Sequence, residues 1–465
     1  MYNHKIIQTR LKKPARASLY YVISGALTKL IGVLSTPIFT RLLSGEEYGS
    51  YTLYMSYLGL LTTVSAAAIS QQVLYRGFEK YKGEKAGFLV SSLAVGEGFS
   101  LAVSLVLLML SPYLSLSYDM LFALSVQLLL DTAINLALAS SKHEYGYARV
   151  ILINLSTAAL TPLLAASLTI GGGLGYRGRV YALLILSAAV ALPIVIKIMK
   201  RARLFDKSKA KYVIKNSFPL IPGAASGAVS AEIDKLMVSA YLGPAALAKY
   251  SIAHTVGLGL GFITSSVSSA LYPWIIRKLS DGKTDDFTSL LRPALRALCA
   301  LVCMLCTLVP EIFGLLAPKE YGIAKYSSVP LALCAVPSFA SALIGVCIVY
   351  AGRSPYTTLS AFCSVMANLA LSTLLIPNLD FIGAGISLLL SNLLSLFVNY
   401  ILLSRCNMAS LIPKSSILTP FLYSSLLSAL AALFYPYLHI RILLLCIPAV
   451  WLLNSLFEIK GYITE

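Results

Sequence analysis

The feature that most constrains this chain is a series of apolar runs, each about 20 residues long, that recurs from one end to the other. A helical run of that length matches the hydrocarbon thickness of a bilayer. We therefore predict an all-α polytopic membrane protein with fourteen transmembrane helices. The predicted spans are 17–40, 51–75, 87–110, 120–140, 150–170, 179–198, 216–241, 247–272, 293–316, 328–350, 357–376, 382–404, 416–435 and 440–457.

The composition agrees with this prediction and excludes other classes of protein. Apolar residues make up 58% of the chain and charged residues only 12%, whereas a soluble domain has about 25% charged residues. So little charge cannot cover a water-exposed surface, which excludes cytosolic enzymes, nucleic-acid binders and secreted disulfide scaffolds. The net charge of +18 lies mainly between the apolar runs, where it meets anionic lipid head groups.

The placement of Lys and Arg predicts the orientation. With the N-terminus inside, the inner segments hold 28 of these residues and the outer loops seven, with Arg41, Arg177, Arg179 and Arg441 among the seven. Cytoplasmic loops carry the excess of basic residues in membrane proteins. We therefore expect a protein of the inner (cytoplasmic) membrane with both termini in the cytoplasm.

The order of the spans and the basic stretch between them predict two six-helix halves. Residues 1–198 form the first bundle, 199–215 a basic cytoplasmic linker, 216–406 the second bundle, and 407–465 an extra helix pair. A faint duplication supports this division: the sequence 43–51 after the first span resembles 242–250 after the seventh. Internal repeats of this kind build the central sites of many transporters.

Charged residues inside the predicted spans are candidate functional residues, because a charge at mid-membrane costs at least about 2.5–3.5 kcal/mol. Pro37 interrupts the first span, and Pro219 and Pro222 lie at the start of the seventh, which is a known indication of a transporter's central site. The charged positions are Lys29, Glu97, Asp131, Glu232, Asp234 and Lys235, with His254 in the eighth span.

Polar residues also recur at helical spacing in several spans. Gln127, Asp131 and Asn135 form one stripe, and Glu97, Ser100 and Ser104 another; the eleventh span has Ser360, Ser364, Asn368 and Ser372, and the twelfth Asn392, Ser395 and Asn399. For the Ser/Asn stripes we favour interhelical hydrogen bonds over a ligand site.

Motifs of enzymes are missing from the sequence. It contains no Walker A motif and no His/carboxylate metal spacing, and no predicted loop exceeds about twenty residues. Cys303 and Cys306 form a C-x-x-C inside an apolar helix, where Cys behaves as a small hydrophobe. We therefore expect a protein that is not an enzyme and has no cofactor and no bound metal.

The stretch from Thr40 to Tyr51 (TRLLSGEEYGSY), after a polar first span with Pro37, resembles the polysaccharide-export branch of the multidrug/oligosaccharidyl-lipid/polysaccharide (MOP) exporters. The likeness is greatest to the Wzx-type oligosaccharide flippases. Two further stretches are similar to that pattern, Glu232–Ser251 and Pro310–Tyr321. The resemblance covers the first twelve spans and implies a V-shaped pair of six-helix bundles.

The function implied by the resemblance is alternating-access flipping of an undecaprenyl-pyrophosphate-linked oligosaccharide from the inner to the outer leaflet, for O-antigen, capsule or exopolysaccharide synthesis. Expected partners are this lipid, membrane lipids, a polysaccharide polymerase and glycosyltransferases, with no nucleic acid. Since a diphosphate needs cations to cross hydrocarbon, the candidate substrate-binding residues are Lys29, Lys235 and Arg41. The candidates for coupling to a proton or Na⁺ are Asp131, Glu97, Asp234 and Glu232.

Two alternatives remain open from the sequence. One is a drug/cation antiporter of the same superfamily. The other, from a different class, is a membrane polysaccharide polymerase or ligase, which is disfavoured because the chain lacks large loops with clustered acidic or His residues.

Overall fold

A computed structural model describes the backbone of residues 2–201, 205–281 and 284–464. All the regular elements in these ranges are helices. The chain divides into two compact units, Met1–Glu232 and Ile233–Glu465, each with its own internal packing.

The first unit begins with a long helix and contains all the helices up to the start of α9. Its helices are α1 (Tyr2–Leu42), α2 (Gly45–Ala67), α3 (Gln71–Lys80), α4 (Lys85–Met109), α5 (Tyr118–His143), α6 (Tyr147–Ile170), α7 (Tyr176–Arg201), α8 (Lys207–Ser217) and α9 (Ile221–Leu242), the last of which continues into the second unit. Buried residues of α2 and α5, including Tyr54, Met120, Leu124 and Leu128, form one of its cores.

The second unit holds the remaining helices. They are α10 (Pro244–Gly257), α11 (Gly261–Ser280), α12 (Thr284–Leu316), α13 (Ser328–Leu333), α14 (Ala335–Tyr350), α15 (Ser354–Arg405), α16 (Lys414–Leu433) and α17 (Leu438–Thr464). A stretch of 3₁₀ helix, Lys319–Ser327, leads from α12 into α13.

The prediction of an all-α membrane protein is confirmed. Within the described ranges, twelve helices are long and apolar enough to cross a membrane. The predicted seventh span lies mainly in α9, which is not among the twelve and carries Glu232, Asp234 and Lys235. The predicted eleventh and twelfth spans both lie in α15. Four predicted spans each extend over two helices: the second over α2 and α3, the seventh over α8 and α9, the eighth over α10 and α11, and the tenth over α13 and α14.

The long element α15 is a hairpin of two helices rather than one rod. Its backbone leaves helical geometry at Leu379 and Asp380, two residues after Pro377. On either side, Ser360 Oγ donates to the Ser395 carbonyl at 3.1 Å, and Ser364 Oγ to the Ser391 carbonyl at 3.1 Å. Because the partners' numbers rise on one arm as they fall on the other, the arms are antiparallel. The interhelical bonding predicted for these stripes is therefore confirmed for Ser360, Ser364 and Ser395, whereas Ser372 bonds to Asn368 on its own arm.

Helix α8 occupies most of the segment that was predicted as a basic linker. Lys209 is buried and pairs with Glu84 and with Asp206, the latter at 3.1 Å. Hydrogen bonds from Ser208 and Lys209 lower the pKa of the Asp206 carboxyl to about 2, so this group is anionic at neutral pH. The basic segment is thus partly folded onto the first unit, with Lys207, Lys211 and Lys215 left exposed.

The extra helix pair, α16 and α17, packs against α12 within the second unit. Polar contacts join the three helices: Arg441 Nη1 lies 2.7 Å from Glu311 Oε1, and Arg296 Nη1 lies 3.1 Å from Glu458 Oε1. Arg441, which we counted among the outer-loop residues, is instead buried in α17. Its guanidinium is compensated by a carboxylate, which is what a buried cation requires.

Candidate functional site

The first unit holds a polar cluster around Asp131 on α5. Gln127 Nε2 donates to Asp131 Oδ1 at 2.8 Å, and Thr62 Oγ1 of α2 donates to Asp131 Oδ2 at 3.4 Å. Gln127 Nε2 also lies 2.8 Å from Ser187 Oγ of α7. The predicted stripe therefore joins three helices, and a carboxylate sits where they meet.

The polar stripe predicted on α4 packs beside this cluster. Ser100 and Ser104 are buried, and Ser100 Oγ lies 2.8 Å from Thr132 Oγ1 of α5. Glu97, one turn before Ser100, is half-buried. The hydroxyls serve helix packing, and Glu97 is the ionisable member of the same face.

The second unit holds a different cluster around Asp234 of α9. Asp234 is only 1% exposed. The Tyr250 hydroxyl of α10 donates to Asp234 Oδ2, and His254 Nε2 lies 3.7 Å from the same oxygen. Asp234 Oδ1 accepts no hydrogen bond from the described residues. This oxygen is therefore available to a proton or a cation, either of which would offset the cost of burying a carboxylate.

Helical spacing puts Tyr241 on the same face of α9 as Asp234, but Tyr241 is exposed, and the Asp234 carboxylate contacts Tyr250 and His254 of α10. Glu232 and Lys235, on the same helix, are half-buried.

Lys29 lies on an exposed face of α1 in the first unit, whereas Thr36 and Thr40 further along the helix are buried. Thr36 Oγ1 donates to the Gly32 carbonyl at 3.3 Å and Thr40 Oγ1 to the Pro37 carbonyl at 3.3 Å. These two hydroxyls therefore bond within their own helix. A lysine exposed from the middle of an apolar helix is costly against lipid, so its position favours a wet cavity.

Arg41 has a structural role at the end of α1. Its Nη1 donates to the Pro37 carbonyl at 2.9 Å, which satisfies an acceptor in the last turn. Twelve residues of helix separate Lys29 from Arg41, about 18 Å along the axis at about 1.5 Å per residue. The two cations on α1 therefore cannot hold one diphosphate together.

Local structure explains the residues of the stretch 43–51, which follows the first span. Ser44 is the N-cap of α2, and Glu47 completes a capping box, with Ser44 Oγ accepting from the Glu47 amide at 3.2 Å. The related stretch 242–250 also starts a helix, at Gly243 and Pro244. The two stretches thus hold equivalent places, each at the start of the helix after the first span of its half.

Arg179 is a residue whose environment the sequence analysis missed. Its guanidinium lies 3.9 Å from the centroid of Phe39 and 3.6 Å from that of Tyr51, on α1 and α2. Its Nη1 is buried without a hydrogen-bond partner among the described residues. The stacking joins three helices of the first unit, α1, α2 and α7. Arg179 entered the sequence prediction only as an outer-loop residue that sets the orientation, and no motif around it indicated this contact.

Comparisons with known proteins identify the class to which this arrangement belongs. The structure resembles that of the lipid II flippase MurJ in an inward closed conformation, with a TM-score of 0.71 and 15% identity over 96% of this chain and 99% of that one. An inward-facing multidrug resistance MATE family transporter of the MOP superfamily gives a TM-score of 0.66 and 14% identity, over 83% of this chain and 95% of that one. A MOP superfamily transporter from Pyrococcus furiosus gives 0.57 and 15%, over 86% and 96%.

The chain therefore has the fold of the MOP superfamily transporters. The model of the polysaccharide biosynthesis protein family matches residues 15–278, which is more than half of the chain. The protein belongs to that family. No curated protein matches it by sequence.

Replacing Arg179 tests the cation–aromatic contact. Arg179→Gln should lower the free energy of unfolding by about 2 kcal/mol, because a desolvated cation–π pair is worth about that much. Arg179→Lys should recover only part, since an ammonium lacks the flat face that stacks on Tyr51. Thermal unfolding of the purified protein in detergent measures both.

The matched control is Arg177→Gln, two residues earlier. Arg177 is exposed and pairs with Asp119 at 3.2 Å, and an exposed pair contributes at most about 1 kcal/mol. Equal losses for Arg177→Gln and Arg179→Gln would contradict a special role for Arg179.

Proposed function

We propose that this protein is a flippase that carries an undecaprenyl-pyrophosphate-linked oligosaccharide from the inner to the outer leaflet during surface polysaccharide synthesis. The polysaccharide-biosynthesis family assignment supports this activity. The protein acts as a secondary transporter of the inner membrane, with both termini in the cytoplasm and no chemical step of its own.

The observation that carries the proposal is the extent of the structural matches. The flippase match covers 96% of the chain, whereas the matches to MATE transporters cover 83–86%. The extra helix pair, residues 407–465, is about an eighth of the chain, which is close to the share that the MATE matches leave uncovered. A likeness that includes nearly the whole chain favours lipid-linked cargo over drug cations.

Lys29 supports an anionic cargo. A diphosphate entering a low-dielectric space needs a cation to offset the loss of its hydration. Lys29 is exposed on α1. Only 28% of the most apolar stretch of this helix is buried inside the structure. We assign to it the first contact with the pyrophosphate, and to Lys235 of the second unit a further contact. Arg41 is excluded from this contact by its distance from Lys29 along α1.

Two carboxylates, the half-buried Asp131 and the buried Asp234, support coupling to an ion gradient. Asp131 and Asp234 lie in separate units, each in its own hydrogen-bond network. A buried carboxylate changes its affinity for a proton or cation when its surroundings rearrange. Binding at either site is thus linked to the conformation of its unit, with Glu97 and Glu232 as secondary candidates.

Deleting the gene in its native host tests the proposed activity. We expect loss of surface polysaccharide and accumulation of the lipid-linked oligosaccharide in the membrane. A drug/cation antiporter, which the MATE-like fold also fits, would instead leave the polysaccharide intact and raise sensitivity to cationic dyes. That second result would contradict the flippase proposal.

Substitutions of Lys29 test the cargo contact. Lys29→Ala should reduce surface polysaccharide at least tenfold while protein level stays near normal, because an exposed side chain contributes little to packing. Lys29→Arg should retain partial function, since the positive charge remains, and Lys29→Glu should fail. Complementation of the deletion strain, with polysaccharide measured on gels, gives the result. Lys207→Ala, an exposed lysine on α8, is the control and should be fully active.

An ion pair between Lys29 and an acidic residue of another span is the rival explanation. Under it, the double variant Lys29→Asp with Asp131→Lys should restore function. Restoration by this exchange would overturn the cargo contact, and normal export by Lys29→Ala would overturn both explanations.

Asp131→Asn tests the coupling site. The amide keeps an oxygen that can accept from Gln127 or Thr62, so the protein should remain folded. Transport in membrane vesicles should then lose its dependence on the ion gradient. Asp119→Asn, an exposed carboxylate at the start of the same helix, should keep that dependence. Unchanged dependence in Asp131→Asn would leave Asp131 as a purely structural hydrogen-bond acceptor.

A further inference from the structure

A cavity of about 390 Å³ lies inside the first unit, apart from the Asp131 cluster and from Lys29. Its volume falls in the range of about 300–1,000 Å³ that is typical of small-molecule sites. The lining comes from α3 to α7: Phe78, Lys85, Ala86, Leu89, Ala137, Ser140, His143, Glu144, Arg149, Pro193, Ile194, Lys197 and Ile198.

The sequence of the lining helices explains why the cavity exists. Pro193 lies inside α7 and has no amide to donate, so one helical hydrogen bond is missing beside the cavity. Small side chains on two neighbouring helices, Ala86 on α4 and Ala137 on α5, also line it and leave space between the helices. The apolar part of the lining, here called the floor, includes Ala137, Leu89 and Ile194.

The charges at the cavity are predominantly positive. Lys85, Arg149 and Lys197 line it, against one carboxylate, Glu144. Lys85 Nζ and Glu144 Oε1 are 4.0 Å apart, at the limit of an ion pair. Among the residues that the structure describes, Arg149 Nη1 donates to the Ser141 hydroxyl, at 3.5 Å. Three cations and one anion around this space attract an anionic ligand.

His143 also lines the cavity, but its ring nitrogen Nε2 faces Glu79. Its Nε2 lies 3.3 Å from Glu79 Oε1, and its ring packs against Phe78 with centroids 5.0 Å apart. We therefore assign anion binding to the three cations and treat His143 as part of the wall.

The cavity lies at the helix ends that the Lys/Arg bias assigns to the cytoplasm. Lys85 starts α4, Glu144 follows α5, Arg149 is in the first turn of α6, and Lys197 is in the last turns of α7. Head groups of the inner leaflet occupy this level, and anionic lipids are attracted to such basic sites.

We propose that this cavity binds a phosphate ester carried on an apolar group, the chemistry of an anionic phospholipid head group with the start of its acyl chains. The Arg149 guanidinium can hold two phosphate oxygens at once, and Lys85 and Lys197 add point charges. The apolar floor accepts the first methylene groups. A bound lipid ties four spanning helices of the first unit together, independently of the cargo proposed above.

The test is binding of short-chain lipids to the purified protein in a neutral detergent. Dihexanoyl phosphatidylglycerol should raise the melting temperature in a saturable way, because a ligand that binds only the folded state stabilises it. Dihexanoyl phosphatidylcholine, whose head group has no net charge, should have no such effect. Equal shifts with both lipids, or none with phosphatidylglycerol, would overturn the proposal.

Variants locate the site. The triple variant Lys85→Gln, Arg149→Gln, Lys197→Gln should weaken phosphatidylglycerol binding at least tenfold, and the single variant Arg149→Gln, at an exposed residue, should weaken it severalfold without affecting folding. The matched control Lys207→Gln, Lys211→Gln, Lys215→Gln removes the same charge from exposed positions of α8, none of which lines the cavity. Equal weakening by the control triple and the cavity triple would show a general charge effect and overturn the site.

Two further measurements distinguish the source of the phosphate and the role of the floor. If glycerol 1-phosphate binds as tightly as the lipid and loses affinity in Arg149→Gln, the phosphate site is supported and its ligand is water-soluble. If binding needs the acyl chains, the ligand is a lipid. Ala137→Leu fills the floor without changing charge and should weaken lipid binding more than glycerol 1-phosphate binding; an unchanged lipid affinity would overturn the assignment of the floor.

Discussion

Hydrocarbon offers no hydrogen bonds to a polypeptide, and the rest of this structure depends on that constraint. Each backbone amide and carbonyl inside the bilayer must be bonded within the chain, so spanning segments become helices. The chain departs from helical geometry at Leu379 and Asp380, where α15 turns back on itself. Serine hydroxyls further along the two arms bond across the hairpin.

The same constraint makes polar side chains inside the membrane informative. Serines on α4 and α15 bond to neighbouring helices and so act in packing. Asp131 and Asp234 differ, because each carboxylate accepts hydrogen bonds from side chains of its unit, with Asp131 half-buried and Asp234 buried. The affinity of such a carboxylate for a proton or a cation changes with its surroundings, and this is the property that an ion-coupled transporter uses.

Positive charge is distributed by a different rule. Arg179 and Arg441 are compensated inside their units, the first by aromatic faces and the second by Glu311. Lys209 is compensated by Glu84 and Asp206 at the surface of the first unit. Lys29 lies on an exposed face of an apolar helix, where we propose that the cargo binds. The three cations that line the cavity of the first unit outnumber the one carboxylate beside them, and there we propose that an anionic lipid binds.

The sequence by itself determined the class of protein, most of the membrane-spanning helices, and Asp131 and Asp234 as carboxylates within helices, because length, hydropathy and helical spacing are local properties. It did not determine which helices these residues meet. Thr62 and Ser187 reach the Asp131 cluster from α2 and α7, and His254 reaches Asp234 from α10. Arg179 and the cavity at Pro193 were likewise invisible in the sequence, since both arise where side chains from several helices converge. Such contacts depend on how helices pack in three dimensions, and a linear pattern of apolar and polar residues carries no record of that packing.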